Sequence, residues 1–576
     1  MGEVGNFQEN IHKADYLSPY AEKRITSETL VTGGNRPSEL LDGEWNYAID
    51  QYDTCLRAKW YQEEYADADG RPFPLDFSFD RWPSIRVPMC WNMADPRFFL
   101  YEGSVVYTRV FRYAPRGEGR VFLRFGAAAQ TAYVFLNKRY LGVHYGGSTP
   151  FCVEATDLLT EYNRLVVVVN NTRRPDLIPA DNTDWFNYGG LYRSVELLRL
   201  PAEHVRSAKV YYKEGKINAA ADLTDGGTAR IEIPELGIDA AIPAAIPAAP
   251  ELWSPERPRL YDVKITYGGD IWTERIGFRD IAVNGHKILL NGEEIFLSGV
   301  CAHEESVVNG KAVTEDEIRE NFRLAKEMNC RFMRLAHYPH TELAARIADE
   351  VGLLLWEEIP VYWAIDFAAP KTLADAKNQL TELIVRDFNR ASVIIWSVGN
   401  ENADTDERLA FMTALARLAR SLDPSRLRSA ACLVDHHKLI ITDRLANELD
   451  IIGINEYYGW YEPDFSKLPK IFENSRPAKP VVISEFGADA RSGSRGTVDD
   501  LYTEDHQAEV YRKQIETLRA IPYVRGIAPW ILFEFRCPRR LHYTQNGYNL
   551  KGLLSADKTR KKPSYYLMRK FYEEIG

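Results

Sequence analysis

Two glutamates in the second half of the chain each follow a run of apolar residues. The run SVIIWSV, from Ser392, leads through Gly-Asn to Glu401, and the run PVVIS, from Pro480, leads to Glu485. Two carboxylates that face one pocket suit glycoside hydrolysis, because one can protonate the leaving oxygen while the other attacks the anomeric carbon. The alternative for each glutamate is a solvated loop carboxylate, but the pair favours catalysis.

The two carboxyl groups need different pKa values for this chemistry. Burial and the charge of its neighbour would keep the proton donor protonated, whereas hydrogen bonds donated to the nucleophile would keep that group ionised. Arg334, Asn400 and Tyr457 are the candidate hydrogen-bond donors.

The elements around these glutamates predict a barrel. From about Asp280, apolar runs alternate with longer amphipathic segments, which is typical of β/α units. Strand candidates begin at Glu294, Arg331, Leu353, Ser392, Arg428, Asp450, Pro480 and Arg525. Eight such units predict a (β/α)8 TIM barrel, in which catalytic groups lie at the C-terminal ends of the strands. A doubly wound open sheet is the alternative, but no glycine-rich loop follows the first strand.

The first helix of this region carries its own signal. Thr314 and Glu317 have capping-box spacing, and Ile318, Phe322, Ala325 and Met328 then share one helical face.

The first part of the chain has a different pattern. Up to about Leu200, short β-rich runs at 104–113, 120–125, 131–137 and 164–170 predict an antiparallel β-sandwich. From about Pro201 to Arg279, short strands surround the stretch IPAAIPAAPELW at 242–253, where proline would interrupt a central strand. We predict a second, smaller sandwich with an extended loop there. The predicted domains are 1–200, 201–279 and 280–576.

Composition excludes several classes of function. The net charge of −11 and the lack of a basic run argue against nucleic acid as a partner. No apolar stretch is long enough to span a membrane, and the first residues lack the features of a secretion signal, so we expect a cytoplasmic protein. Seven scattered cysteines without a CxxC pair argue against a disulfide framework and a zinc site.

Five motifs, in order along nearly the whole chain, resemble those of glycoside hydrolase family 2. WSVGNEN at 396–402 and VISEFG at 482–487 resemble its acid/base and nucleophile motifs, and RLAHYPH at 334–340 resembles a third barrel motif. DWFNYGGLYRSV at 184–195 resembles its jelly-roll signature, and ELWSPERPRLY at 251–261 its immunoglobulin-like domain. The resemblance implies a jelly-roll β-sandwich, an immunoglobulin-like β-sandwich and a catalytic barrel. It also implies a retaining mechanism with Glu401 as acid/base and Glu485 as nucleophile.

One segment indicates which sugar the substrate contains. Asn549-Leu550-Lys551-Gly552 resembles the Asn-X-Lys-Gly motif with which the β-glucuronidases of this family bind the substrate carboxylate. A lysine ammonium and an amide donor are suitable contacts for a uronate in an acidic protein. The resemblance therefore implies an exo-β-glucuronidase acting on terminal β-D-glucuronides. A solvated turn is the alternative for a lone motif of this kind.

The resemblance also implies further sugar-site residues, which are Asp184, His337, Asn400, Tyr457, Tyr461 and Trp530. Core packing is the alternative for His337, Tyr461 and Trp530, and Asp184 would have to reach across a domain boundary. Two departures from the pattern matter. Some members have arginine where this chain has Gln545, and some have a long loop where this chain has the short segment 361–372, which predicts an open pocket mouth.

Other functions remain as alternatives. A β-galacturonidase or β-galactosidase of the same family would keep both glutamates, and an inactive carbohydrate-binding protein would use the sandwiches and aromatic residues. A nicotinamide or nucleotide enzyme would need a glycine-rich loop after a strand, and none is present. We expect no cofactor or metal in catalysis, although some members carry a non-catalytic flavin mononucleotide (FMN). The expected partners are glucuronide-capped small molecules or oligosaccharides and further copies of the chain, as a homo-oligomer.

Overall fold

The computed structural model describes residues 18–576 except 34–35, 64, 67–68, 70, 74–77 and 115–118. The described chain forms two compact units. The first comprises the described residues of Met1–Leu30, Ser38–Thr172 and Tyr188–Arg199, and the second comprises those of Val31–Pro37, Arg173–Asn187 and Leu200–Gly576.

The first unit is an antiparallel β-sandwich, as its short β-rich runs predict. Its six-stranded sheet has the order Ser84–Val87, Gly43–Ile49, Ser104–Arg112, Tyr162–Asn170, Thr131–Leu136, Arg139–Tyr145. Its four-stranded sheet has the order Ser38–Leu40, Val195–Leu200, Arg120–Phe125, Phe151–Glu154. The inner faces of the sheets pack together through side chains such as Trp45, Tyr107 and Leu123. The smaller elements are the helices Ser18–Ala21, Thr54–Arg57 and Trp91–Ala94 and the strand pair Tyr65–Ala66 and Pro72–Phe73.

The second unit contains a smaller sandwich of two sheets. The three-stranded sheet has the order Val205–Lys213, Lys216–Leu223, Ala244–Pro247, and the four-stranded sheet has the order Ile238–Ile242, Ala229–Ile233, Tyr261–Tyr267, Asp270–Ile276. Buried residues of both sheets, such as Val210 and Ile265, form one core.

The prediction of an extended loop around 242–253 was wrong for the first part of this stretch. Ile242 ends one strand, and Ala244–Pro247 is a further strand paired with residues 216–219 of the other sheet. Pro243 lies between these strands, and Pro247 ends an edge strand, so neither proline interrupts a central strand. The irregular connection is therefore confined to residues 248–260.

The second unit also contains the predicted closed barrel of eight parallel strands. A small sheet of Ile281–Asn284, Lys287–Leu290 and Glu293–Ile295 precedes it. The barrel strands, labelled β1 to β8, are Leu297–Ala302, Phe332–Leu335, Leu354–Glu358, Val393–Asn400, Leu427–Cys432, Ile452–Asn455, Val481–Glu485 and Val524–Ile527. Every residue of β4 and β7 is buried, as expected of apolar runs covered on both faces.

The helices α1 to α7 are Glu315–Glu327, Glu342–Val351, Pro370–Asp387, Asp406–Leu422, Lys467–Ser475, Glu504–Leu518 and Pro563–Ile575. The predicted capping box starts α1, because Thr314 accepts a hydrogen bond from the amide of Glu317 and the Glu317 side chain accepts one from the amide of Thr314. Between β5 and β6 the chain forms the strand pair Val434–Asp435 and Ile440–Ile441 and the 3-10 helix Arg444–Glu448. A last strand pair, Phe535–Arg536 and Tyr548–Asn549, follows β8.

The seven cysteines all lie in the described part of the chain, where they are buried and form no disulfide. Among the described residues, no helix has the length and apolar character needed to cross a membrane.

Candidate active site

A pocket of about 410 Å³ lies in the second unit and contains both glutamates. Glu401 directly follows β4 and Glu485 ends β7, so the parallel strands deliver both carboxylates to the C-terminal face of the barrel. All the predicted site residues except Asn400 line the pocket. The full lining is Asp184, His337, Tyr362, Trp363, Glu401, His436, Asn455, Glu456, Tyr457, Tyr458, Tyr461, Glu462, Glu485, Trp530, Arg540, Asn549 and Lys551.

Glu485 is held by two hydrogen-bond donors from other strands of the barrel or from just after them. Nη1 of Arg334, on β2, lies 2.6 Å from Oε1 of Glu485. The hydroxyl of Tyr457, just after β6, donates to Oε2 at 2.7 Å. Both carboxylate oxygens are therefore fixed, and two of the three predicted donors do contact this group.

The protonation of Glu485 reflects opposing effects. Burial and, to a smaller extent, the nearby Glu401 raise its pKa, while Arg334 and Tyr457 lower it, and the balance is a pKa of about 7. Burial, with the charge of Glu485, also raises the pKa of Tyr457 well above its ordinary value, so the phenol remains a donor. The hydrogen bonds from Arg334 and Tyr457 offset only part of the effect of burial, so the expectation that they keep the proposed nucleophile ionised holds only above a pH of about 7.

Glu401 is oriented by a residue that the sequence analysis did not name. The indole Nε1 of Trp363 donates a hydrogen bond of 2.8 Å to Oε2 of Glu401. The preceding Gly399 has no room for a side chain, because a Cβ there would lie 2.5 Å from Cε of Met412 and 2.9 Å from the carbonyl oxygen of Val361. The chain therefore needs glycine at this point to bring Glu401 against Trp363.

Glu358 is a further charged residue of the site, and it contacts both Arg334 and His337. Nη2 of Arg334 lies 2.9 Å from Oε1 of Glu358, at the end of β3, and His337 Nδ1 lies 2.8 Å from the same oxygen. Burial opposes ionisation of Glu358, but Arg334 and His337 hold its pKa at about 2. Burial lowers the pKa of His337 to about 4, so its ring is neutral. It donates from Nδ1 to Glu358 and presents Nε2 as an acceptor.

Asn400 is buried, is not among the residues that line the pocket, and does not donate to Glu485. Its Oδ1 accepts from Nη2 of Arg334 at 2.8 Å and from Nδ2 of Asn455 at 3.0 Å. Its Nδ2 is buried and has no partner among the described residues. A buried donor without a partner is costly, so this amide is suited to a substrate oxygen.

Lys551 is buried and already paired. Its Nζ lies 2.6 Å from Oδ2 of Asp489 and 3.2 Å from the hydroxyl of Tyr461. Although burial opposes it, Asp489 raises the pKa of Lys551, so the amine carries its charge. An ammonium has three N–H groups, of which these two contacts use two. Asn549 stabilises the local backbone of the motif, because its Oδ1 accepts a hydrogen bond of 3.1 Å from the backbone amide of Lys551.

Asp184 reaches the pocket from residues 173–187, which belong to the unit that contains the barrel. Its Oδ2 lies 2.5 Å from Nη2 of Arg540.

Gln545 is not part of the pocket lining. It is buried and donates to Oδ1 of Asp489 at 3.1 Å. Trp530 stacks on His337, with ring centroids 4.8 Å apart.

Several residues of the site were missed because they lie on loops that carry no periodic signal. Trp363, Asp489 and Arg540 belong to this group. Glu358 could have been found, because it is a polar residue at the end of a barrel strand, as are the two predicted glutamates.

Comparison with known families agrees with this architecture. Residues 281–576 match the family description "Glycosyl hydrolases family 2, TIM barrel domain". Residues 38–201 match the sugar binding domain of that family, and residues 198–279 match "Glycosyl hydrolases family 2".

Individual relatives are distant but extend over most of the chain. A β-glucuronidase of Paenibacillus borealis is 26% identical over 93% of this chain and 97% of its own length. The solved β-glucuronidase of Ruminococcus gnavus is 25% identical with a TM-score of 0.83, over 96% of this chain and all of that one. A family 2 β-galacturonidase of Eisenbergiella tayi, solved with galacturonate bound, is 25% identical with a TM-score of 0.81, over 96% of this chain and 99% of that one.

Proposed function

We propose, from the premise that the chain belongs to glycoside hydrolase family 2, that it is a retaining exo-β-glucuronidase. The observation that carries the proposal is one pocket holding Glu401, Glu485 and Lys551. The first two supply the groups for glycoside hydrolysis, and the third supplies a buried cation for a uronate.

The proposed reaction is a double displacement. Glu485 attacks the anomeric carbon while Glu401 gives its proton to the leaving oxygen, which forms a covalent glycosyl-enzyme and releases the aglycone. Glu401 then removes a proton from water, the water oxygen attacks the same carbon, and Glu485 leaves as a carboxylate. Arg334 and Tyr457 support this role of Glu485, because their hydrogen bonds stabilise the carboxylate that attacks and leaves.

The charge of Glu401 is one of the effects that raise the pKa of Glu485. The productive state has one proton, on Glu401. Trp363 holds Oε2 of Glu401 in place, and this contact fixes the orientation from which the carboxyl group addresses the leaving oxygen.

The remaining contacts of the sugar follow from the free hydrogen-bonding groups of the pocket. The third N–H of Lys551, with the amide of Asn549, would bind the C6 carboxylate. Nδ2 of Asn400 would donate to a ring hydroxyl, and Nε2 of His337 would accept from one. Asp184, Tyr461 and Trp530 would complete the wall of the sugar site. The names of relatives such as the Ruminococcus gnavus β-glucuronidase support glucuronate as the sugar.

A β-galacturonidase is the second candidate. Two observations favour it, namely the likeness to the Eisenbergiella tayi enzyme and the position of Gln545 against Asp489 instead of in the pocket. A neutral-sugar β-galactosidase is less well supported, because it would leave Lys551 without an anionic substrate group.

Three further expectations remain predictions. These are the domain boundaries at 200/201 and 279/280, assembly into a homo-oligomer, and a cytoplasmic location. Light scattering with the purified protein tests assembly, and its visible absorption spectrum tests whether it carries the non-catalytic FMN that some members of the family bind.

Hydrolysis of 4-nitrophenyl β-glucuronide, β-galacturonide, β-galactoside and β-glucoside tests the proposed activity. We expect the glucuronide to be cleaved with the highest kcat/KM. Preference for the galacturonide would establish the second candidate, and no cleavage of any of the four would favour an inactive carbohydrate-binding protein.

Glu401→Ala and Glu485→Ala test the two roles with the same assay. Loss of Glu485 should stop turnover of every glucuronide. Loss of Glu401 should damage an alkyl glucuronide far more than the activated 4-nitrophenyl one, because only the poor leaving group needs the proton. Equal damage to both substrates would show that Glu401 is not the acid.

A further inference from the structure

Arg540 is a second basic residue of the pocket, beside Lys551. The connection between the strands Phe535–Arg536 and Tyr548–Asn549 contains it. Its amide donates to the carbonyl oxygen of Cys537 at 2.9 Å, and its own carbonyl oxygen accepts from the amide of Gly547 at 2.8 Å. These backbone contacts fix the loop, so the guanidinium is presented to the pocket by an ordered segment.

The guanidinium has unused donor capacity. Nη2 pairs with Oδ2 of Asp184 at 2.5 Å and the guanidinium also hydrogen-bonds Tyr461, whereas Nε is buried without a partner among the described residues. Arginine has five N–H donors in a planar fork that matches a carboxylate. The side chain is 25% exposed, so the group is partly desolvated yet open to the pocket.

Arg540 and Lys551 both contact the side chain of Tyr461. Nζ of Lys551 lies 3.2 Å from the hydroxyl of Tyr461. Burial acts to lower the pKa of Arg540, but Asp184 and Tyr461 raise it above its ordinary value. The nearness of Arg540 is also one of the effects that act to lower the pKa of Lys551. Asp489 pairs with Lys551 and Asp184 pairs with Arg540, and a carboxylate placed between the two cations would be attracted by both.

Gln545 belongs to the same connection between the two strands. Here Gln545 is buried and donates to Asp489, the partner of Lys551, and it does not reach the pocket. Arg540, five residues earlier in the chain, does reach it.

We propose that Arg540 is a specificity-determining contact that binds the C6 carboxylate of the substrate together with Lys551. This inference rests on the proposed function, since it takes a uronate as the substrate class. Asp184 orients the guanidinium through Nη2, and Nε, which has no partner among the described residues, is the donor left for the carboxylate.

The test compares Arg540→Gln and Arg540→Lys with the wild-type enzyme on 4-nitrophenyl β-glucuronide, β-galacturonide and β-glucoside. A hydrogen bond to a charged group is typically worth about 1.5–3 kcal/mol, so Arg540→Gln should lower kcat/KM on both uronides by about 10- to 150-fold. The glucoside lacks the carboxylate, and its kcat/KM should fall much less. Arg540→Lys keeps the charge but loses the fork, so its loss should be intermediate. It also tests the proposal if Arg540→Gln does not fold.

Arg495→Gln is the matched control, because Arg495 is an exposed residue paired with Asp505 outside the pocket lining. It makes the same change in net charge and should leave all three activities unchanged. Equal losses on uronides and glucoside would show that Arg540 supports the fold or Asp184 instead. A loss on the glucuronide alone would assign it to the C4 hydroxyl, and no loss at all would also overturn the proposal.

Binding of free glucuronate, measured by calorimetry, separates this inference from the proposed function. If the wild-type enzyme cleaves no uronide but binds glucuronate more tightly than Arg540→Gln does, the proposed function is wrong and the role of Arg540 stands. If the wild-type enzyme cleaves glucuronides and Arg540→Gln binds glucuronate equally well, only the role of Arg540 is wrong.

Discussion

The indole of Trp363 and the carboxyl group of Glu401 are joined by a hydrogen bond of 2.8 Å, and both residues have left-handed backbone conformations, with φ of 50° and 53°. Bulky side chains seldom adopt this conformation, which costs of order 1–3 kcal/mol and persists only where the surroundings enforce it. Val361 and Asn402 enforce it here, since Nδ2 of Asn402 donates to the carbonyl oxygens of Val361 and Trp363. The site thus holds its proposed acid/base in place through two strained residues.

Trp363→Phe tests this contact. The ring is kept but the N–H is lost, so Glu401 should lose its fixed orientation. We expect kcat/KM on an alkyl glucuronide to fall by about 2- to 10-fold, because Glu401 is protonated when it acts and a hydrogen bond to a neutral group is worth about 0.5–1.5 kcal/mol. The 4-nitrophenyl glucuronide should be affected less, because its leaving group needs little proton donation. Trp82→Phe, in the first unit, is the control that should leave both rates unchanged. Equal losses on both substrates would contradict the claim that Trp363 acts by orienting Glu401 as the proton donor.

Tyr457→Phe should shift the pH dependence. Glu485 must be ionised to attack, so kcat/KM should rise with pH through its pKa of about 7. Tyr457 donates to the ionised carboxylate and thereby lowers that pKa. Its removal should raise the pKa, and the acidic limb of the pH profile should move upward by about 1–2 pH units, the equivalent of about 1.5–3 kcal/mol. A limb that stays in place, or moves to lower pH, would show that Tyr457 does not stabilise the charge on Glu485.

Lys551→Ala should reduce both activity and stability. Breaking a buried, hydrogen-bonded charge pair with the substrate costs about 2–5 kcal/mol, so kcat/KM on an aryl glucuronide should fall by about 30- to several thousand-fold. Activity on the glucoside should be unchanged or higher. The variant also leaves Asp489 buried without its cation, so the melting temperature should fall, because an unpaired buried charge costs about 3–5 kcal/mol.

The double variant Lys551→Met/Asp489→Asn separates these two effects. The introduced asparagine side chain would keep an oxygen for the amide of Leu550, which in the wild-type protein donates to Asp489 at 2.9 Å, and no charge would be left unpaired. We expect the melting temperature to recover while the glucuronide activity stays low. Recovery of both would mean that Lys551 supports the fold and does not recognise the uronate.

The short connection between β3 and α3 predicts an accessible pocket. We expect a glucuronide-capped oligosaccharide to be hydrolysed with a kcat/KM similar to that of small aryl glucuronides. If the oligosaccharide were neither cleaved nor inhibitory while aryl glucuronides were turned over, the prediction of an open mouth would be wrong.

The positions of the main elements could be predicted because regular structure leaves a periodic pattern. The apolar runs ending at Asn400 and Glu485 identify strands, and the rule that barrel sites lie at strand ends then places both glutamates in one pocket. The strand Ala244–Pro247 was missed because proline argues against a strand interior and says little about an edge.

The contacts made by loops could not be predicted in this way. The sequence shows Lys551 in its motif, but the ion pair with Asp489 joins loops 62 residues apart in the chain. Arg540 likewise meets Asp184 across 356 residues. Such pairs depend on the path of irregular segments, which no local spacing encodes.

The covalent intermediate is the most direct test of the central claim, that Glu485 is the nucleophile of a retaining β-glucuronidase. The enzyme would be incubated with 2-deoxy-2-fluoro-β-glucuronyl fluoride, whose good leaving group allows the first step while the fluorine slows the second, and the protein would be analysed by intact and peptide mass spectrometry. We predict one adduct per chain, on the peptide that contains Glu485, and no adduct on Glu485→Gln. Turnover of aryl glucuronides without any adduct, or an adduct on a different residue, would contradict the account.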